Sequence, residues 1–361
     1  MKFLDIFNEI EKGNYALTDE AVYSSLQNGD ELIPLYGGNR EHTTVERTIS
    51  ISAKTKKNQA ITIFDQEGII ISLDGSAGCM TYKKGERFAL NHHAGFITLK
   101  DGSENVVCLE YFAIFFQNHY KSLAVSDGSK TLSLQQIYSE DFSIPGIEEQ
   151  RRAVAAIKTI SSKVKALCHL KKIVERLLLQ DIVYDADDIV KRAVSLDTMA
   201  RIIQGHQITD EEIYNQKGDV PIFTGPNDIK GYWEKAIIDC TDLPCLTYAT
   251  KAFDGTITIQ RSLFDANNTA VLIIKDEYKS VVEIEWLQAI LPNLFLKNAT
   301  SKEGVSYLNK AIVQNITIDI PKHCIQKKCI ERHKQLSDLQ VRINRLIQRY
   351  NTIITKEIVF N

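Results

Sequence analysis

Two adjacent histidines, His92 and His93, are the first groups in this sequence with an obvious capacity for acid–base or metal chemistry. Neighbouring residues on a strand point to opposite faces, so the pair makes a poor shared metal site. The cysteines offer no better one. Cys240/Cys245 and Cys324/Cys329 are each separated by four residues, neither is a C-x-x-C pair, and no histidine stands at zinc-finger spacing. Seven cysteines, with no export signal ahead of them, read as free thiols of a cytosolic protein. Gly128-Ser129-Lys130-Thr131 is like the tail of a nucleotide-phosphate loop, but a serine parts glycine from lysine and the upstream glycine is missing. Asp74-Gly75-Ser76-Ala77-Gly78 does not continue as G-x-G-x-x-G. It is either a tight strand turn or a turn whose backbone N–H groups touch DNA. The patterns H-E-x-x-H and G-x-S-x-G are absent.

These polar groups gain meaning from a duplication. Leu4-Asp5 with Gly13 is matched by Leu196-Asp197 with Gly205 at the same spacing. Ile33-Pro34-Leu35-Tyr36-Gly37 is matched by Val220-Pro221-Ile222-Phe223-Thr224-Gly225, and Ile69–Ser72 with Asp74-Gly75 by Leu246–Tyr248 with Asp254-Gly255. Asn91-His92-His93-Ala94-Gly95-Phe96-Ile97 resembles Asn267-Asn268-Thr269-Ala270-Val271-Leu272, Leu109-Glu110-Tyr111-Phe112 corresponds to Ile284-Glu285-Trp286-Leu287, and Ile144-Pro145 to Ile320-Pro321. Six landmarks kept in order mark an internal repeat. Where the first half has His92-His93, the second has Asn267-Asn268. A catalytic pair is rarely exchanged for amides in a duplicated site. Side chains that hydrogen-bond to base edges or phosphates are exchanged freely when two copies read different sequences.

After each Ile-Pro comes a long helix pattern. Ala153, Ile157, Ile160, Val164, Leu167, Val174 and Leu178 step by threes and fours, with Lys171 interrupting; Leu336, Leu339, Ile343, Leu346, Tyr350 and Ile353 do the same. That is the 3.5-residue period of a coiled coil, and about 30 residues make a helix of roughly 45–50 Å. The two are expected to pair antiparallel, with the second domain inverted by a pseudo-twofold. Both helices are basic: residues 147–180 carry a net +5 and 325–356 a net +6, so the chain's −3 conceals −14 elsewhere. A solvated coiled-coil face, contacts to a phosphate backbone and contacts to an acidic partner all fit that charge. The 361 residues, 44% hydrophobic and 25% charged, suit two soluble domains, and no apolar run approaches the roughly 20 residues of a membrane helix.

Taken together, the chain resembles the specificity subunits of type I restriction–modification systems, and it is similar to type IIB specificity subunits. The resemblance covers the whole length. It is carried by Ile33–Asn39, Ile71–Gly78, Phe88–His93, Gly128–Ser133 and Phe142-Ser143-Ile144-Pro145-Gly146-Ile147-Glu148-Glu149-Gln150. The second half departs from it, reading Lys322-His323-Cys324-Ile325-Gln326 after Ile320-Pro321, without Glu-Glu-Gln. The resemblance implies an α+β chain with two α/β target-recognition domains, 1–146 and 183–324, and two antiparallel spacer helices, 147–182 and 325–361. It implies no catalytic residue, in keeping with the absence of an Asn/Asp-Pro-Pro-Tyr/Phe motif. Partner methyltransferase subunits would carry S-adenosylmethionine, and a restriction subunit, where present, ATP and Mg.

The matched loops place the DNA-binding candidates. In the first domain these are Tyr36, Gly37, Asn39, Arg40, Ser76, His92, His93, Ser129 and Lys130. In the second they are Thr224, Asn227, Lys251, Asn267, Asn268 and Lys302. The competing reading is a coiled-coil scaffold with duplicated α/β interaction domains and no DNA role; a mobility shift in the presence of methyltransferase separates the two. A stand-alone modifying enzyme would need a further domain, for which the two repeats and helices leave no room. The helix length somewhat exceeds one DNA turn of about 34–36 Å, so a split site with unread base pairs between its halves is expected. Deleting one heptad from each helix should shorten that spacer, as read from the sequence of methylated sites; an unchanged site would refute the ruler.

Overall fold

The computed structural model describes residues 1–360 apart from 16, 18, 27, 28, 39–41, 43, 44, 46, 128, 181, 226 and 227, and describes backbone only at 126, 127, 129 and 357–360. The chain forms two compact units, Met1–Lys165 with Gln348–Asn361, and Ala166–Ile347. Among the described residues no helix is long and apolar enough to cross a membrane.

In the first unit the strands are β1 (Glu11–Lys12), β2 (Leu32–Tyr36), β3 (Thr48–Ser50), β4 (Ile63–Phe64), β5 (Gly68–Ser72), β6 (Met80–Lys83), β7 (Phe88–Leu90), β8 (Ala94–Ile97), β9 (Val125–Asp127) and β10 (Ser129–Thr131). They make an antiparallel sheet in the order β1-β8-β5-β6, a second sheet β3-β2-β7-β4 with β2 parallel to β7, and a β9–β10 hairpin. The run Ile69-Ile70-Ile71 is wholly enclosed because its sheet is covered on both faces. Alternation along the strand sends Ile69 and Ile71 to Phe3, Phe7 and Phe112 on one face. Ile70 goes to Tyr36, Phe64, Phe88 and Phe96 on the other.

The second unit repeats this plan with different side chains. Its strands are β11 (Ile189–Ser195), β12 (Ala200–Gln204), β13 (Val220–Phe223), β14 (Ile229–Trp233), β15 (Cys245–Ala249), β16 (Ile257–Gln260), β17 (Asp265–Ala266), β18 (Thr269–Ile274), β19 (Thr300–Lys302), β20 (Val305–Tyr307) and β21 (Thr317–Pro321). The order β12-β18-β15-β16 answers β1-β8-β5-β6, the parallel pair β13–β17 answers β2–β7, and the β19–β20 hairpin answers β9–β10. Leu246, Tyr248, Leu272 and Ile274 face one core around Trp286 and Phe295. Cys245, Val271 and Ile273 face the other, with Phe264. Burial pushes the Cys245 thiol up to about 12, so it stays protonated inside that core.

Two long helices, Ile147–Leu178 and His323–Phe360, start in the first and the second unit respectively. Each begins two residues after the proline of its Ile-Pro step, and each is tied to its own unit by a buried glutamine. Gln150, 0% exposed, accepts the Cys108 N–H at 2.8 Å on Oε1 and donates through Nε2 to the carbonyls of Val106 and Pro145, both at 2.8 Å. Gln326, also 0% exposed, accepts the Glu283 N–H at 2.8 Å and donates to the carbonyls of Val281 at 2.8 Å and Pro321 at 2.9 Å. Cys108 and Glu283 precede the equivalent helices Leu109–Phe115 and Ile284–Asn298, so one amide joins two helix starts. The missing Glu-Glu-Gln of the second half is therefore a partial loss: the glutamine is kept, five residues after the proline.

In the second unit the helices run antiparallel. The Gln180 side-chain carbonyl accepts from Arg332 at 3.3 Å and the Glu175 carboxylate from Gln340 at 3.4 Å. In the first unit the Lys163 ammonium stands 5.9 Å from the centre of the Tyr350 ring. The expected stripe is altered on the second helix. Leu339 and Leu346 are exposed, at 38% and 40%, while Gln340 and Ile347 turn inward. Steps of three or four from Leu336 both satisfy a seven-residue repeat; the partner helix, through Glu175, selects four. Lys171, the apparent interruption in the first helix, lies half-buried on the stripe, its ammonium 3.7 Å from Glu175.

Gln150→Ala removes three hydrogen bonds made by a fully buried amide to half-buried or exposed backbone groups, so it should cost about 1–3 kcal/mol. Calorimetry should show one of two unfolding transitions displaced downward, and Gln326→Ala should displace the other.

Candidate nucleic-acid interface

Four segments meet in the first unit. The Tyr36 carbonyl at the end of β2 accepts the Asn91 N–H at 2.9 Å. The next turn brings Gly38, whose carbonyl accepts the Ser76 N–H at 3.0 Å. The Gly75 N–H donates to the Lys130 carbonyl at 2.9 Å, Leu73 N–H to His93 at 2.8 Å, and Leu132 N–H to Leu73 at 2.8 Å. Asp74 bridges to Thr131. Glycine is needed twice here: a Cβ on Gly38 would sit 2.3 Å from the Asp74 carbonyl oxygen, and Gly75 has φ +73°. The result is one cluster of Gly37-Gly38, Asp74–Ser76, Asn91–His93 and the β9–β10 hairpin.

Its side chains have different standing. His93 Nδ1 lies 3.0 Å from Asp74 Oδ2, with both side chains near two-fifths exposed. The two histidines lie in a turn rather than on a strand, so they do not face opposite ways as expected: the His92 ring lies 3.8 Å from that of His93 and edge-on to Tyr15 at 5.2 Å. Burial lowers the His92 pKa, the neighbouring His93 lowers it further, and Asp74 opposes both. The His92 Nδ1 is enclosed without a hydrogen-bond partner among the described residues. Lys130 is exposed and Ser76 half-buried.

Tyr36 does not belong to the presented surface. It is 3% exposed, its hydroxyl donates to Glu86 at 2.9 Å and accepts from Lys83 at 2.9 Å, and the Lys83 ammonium lies 4.2 Å from its ring centre. Burial first and Glu86 second raise the tyrosine pKa, so it remains a committed donor inside the unit. Gly37 is buried under the Asn91 side chain. Asn39, Arg40 and Asn227 lie outside the described residues, as does the side chain of Ser129.

The second unit assembles the same frame. The Phe223 carbonyl accepts the Asn267 N–H at 2.7 Å, as Tyr36 does from Asn91. His206 bridges to Asn267 as Asn14 does to Asn91. Lys251 bridges to Tyr307 of the hairpin as Asp74 does to Thr131, and the Leu308 N–H reaches the Thr250 carbonyl at 3.0 Å. Asn267 is thus the equivalent of Asn91, as the sequence landmark has it. The pairing of Asn267-Asn268 with His92-His93 is corrected: Asn268 alone stands for the two histidines, because the connection is one residue shorter. Asn267 is 6% exposed and holds the Ile208 N–H at 3.2 Å, so it serves the frame. Asn268, with φ +57°, is exposed, as are Thr224, Lys251 and Lys302.

Asp74 is a site residue that the sequence reading passed over, although its Asp-Gly step stands next to Ser76. No group of three or more metal-ligating side chains exists among the described residues. Two copies of one backbone frame therefore present an acidic–imidazole pair in one case and a lysine with an amide in the other.

The family comparison decides what such a chain is. The model of the type I restriction modification DNA specificity domain matches twice, over residues 3–176 and 192–353. The chain belongs to that family. Membership makes it a non-catalytic specificity subunit. Among solved structures it is similar to one titled for complex assembly and conformational transition of the type I R-M system. That match is 14% identical, covers 99% of this chain and 95% of that chain, and has a TM-score of 0.64. It is also similar to the type I restriction–modification S subunit from M. genitalium, at 12% identity, covering 99% and 94%, with a TM-score of 0.54. At these identities the likeness is one of fold. No curated protein matches the sequence.

For this specificity subunit, Gly38→Ala forces β-carbon against backbone and should cost about 1–3 kcal/mol. Faster amide exchange at Ser76, with exchange in the second unit unchanged, is the expected signature.

Proposed function

We propose that this specificity subunit reads a split double-stranded DNA sequence, one half with residues 1–146 and the other with 183–324, and directs two methyltransferase subunits to it. The observation that carries this reading is the duplicated frame with unlike side chains. Enclosed backbone bonds hold the same four segments in each unit, while the exposed groups change from Asp74, His93 and Lys130 to Lys251, Asn268 and Lys302. A shared frame with exchanged polar tips is what base readout at two different sequences requires, because backbone contacts position and side chains at base edges specify.

The acidic and imidazole groups of the first unit suit an amino-group donor on a base. Lys251 and the Asn268 amide of the second suit acceptors such as the purine N7 and O6. Lys130 and Lys302, on the two hairpins, serve as phosphate contacts that set register. The chain's own net charge of −3 gives weak general attraction to DNA, so partner subunits supply much of the backbone grip. S-adenosylmethionine belongs to the methyltransferase subunits, and ATP and Mg to a restriction subunit in a full type I complex. The complex works in the cytoplasm.

Sequencing methylated DNA from cells with and without this chain should reveal one bipartite motif that appears only with it. His93→Ala should relax one half of that motif, and Asn268→Ala the other, by roughly 1–3 kcal/mol per affected base pair. Lys130→Ala should weaken binding across sequences and reduce the salt dependence by about one phosphate contact. Loss of neither half in either variant would refute the site.

A further inference from the structure

His42 lies in the polar connection 37–47, yet its imidazole is 0% exposed. Its Nε2 is 2.7 Å from the Gly37 carbonyl and 3.3 Å from the Ser72 hydroxyl; its Nδ1 is 3.2 Å from the Thr81 hydroxyl. The Gly37 carbonyl only accepts, so the proton is on Nε2 and Nδ1 accepts from Thr81. The Thr81 oxygen in turn receives the His42 backbone N–H at 3.3 Å. One flat ring thus links three places: the exit of β2, the end of β5 and the second residue of β6. Gly37 leads into Gly38, whose carbonyl holds the Ser76 N–H, and Ser72 lies two residues before Asp74.

We propose that His42 is a positioning residue for recognition of the first half-site. Its ring fixes Gly37-Gly38 against the Asp74–Ser76 turn and so aims the Asp74–His93 pair at the bases. The role calls for a donor at one edge of a side chain and an acceptor at the other, enclosed where water cannot replace them. An aliphatic side chain offers neither, and the three partners would lose their shared anchor. This role rests on the DNA-reading function proposed above, and the second unit provides a reference within the same chain.

The test uses the chain with its methyltransferase subunits and a plasmid library randomised at both half-sites, with methylated members sequenced. His42→Ala should lower discrimination at the first half-site about tenfold while leaving the second within about twofold. His42→Gln, which keeps a donor able to reach the Gly37 carbonyl, should recover most of that loss. Thr81→Val, a milder change, should reproduce part of it, again at the first half-site alone. Unaltered discrimination at the first half-site in both His42→Ala and Thr81→Val overturns the role. So does an equal loss at both half-sites that His42→Gln does not repair. Absence of any selective methylation by the unsubstituted complex would instead overturn the DNA-reading function itself, which keeps the two failures apart.

Discussion

A buried amide side chain holds each long helix to the unit from which it grows, and much else follows from that attachment. Gln150 and Gln326 each meet one backbone donor and two backbone acceptors with nothing left over for water. A helix start is short of partners for its backbone groups, and a loop packed beside it is short of them too. The glutamine serves both at once. The direction in which the helix leaves its unit is thereby set by hydrogen-bond geometry, which is stricter than apolar packing. Glu148 and Glu149, next to Gln150, lie on the exposed first turn, where negative charge suits the helix dipole. The second helix has no acidic residue in its first turn and is anchored all the same.

The interface separates frame from message. Main-chain bonds build the frame: Tyr36 or Phe223 to an asparagine N–H, the turn after β5 or β15 to a hairpin, and glycines where a β-carbon has no room. Tyr36, Lys83 and Asn267 are polar, yet they are spent inside. The message is left to side chains that stand at the surface, the paired Asp74 and His93 among them. At one position it reverses sign, from Asp74 to Lys251, without disturbing the bridge that position makes to its hairpin. A bridge uses only backbone, so the side chain is free to change. That freedom is the physical condition for reading new sequences on an old fold.

Much of this was legible in the residues. The order of landmarks, the two Ile-Pro steps and the seven-residue periods reported two units with a long helix each, because hydrophobic spacing and proline act locally. The loops named as DNA-binding in the first half do converge, since Gly-rich turns after strands collect at one end of a sheet. Tyr36 and Asn267 were misjudged as surface groups, because nothing local tells a polar residue that is consumed inside from one that is offered outside.

The sequence by itself therefore determined the duplication, the family resemblance and the segments from which a reader is built. Only the tertiary structure decided which polar groups are free. It took Asn267 into the frame, put Gln340 rather than Leu339 on the helix seam, and enclosed the His42 side chain. Each of those outcomes depends on a partner distant in the chain: Phe223 for Asn267, Glu175 for Gln340, Thr81 for His42. Spacing along a chain carries periodicity; it does not carry the identity of what will stand opposite.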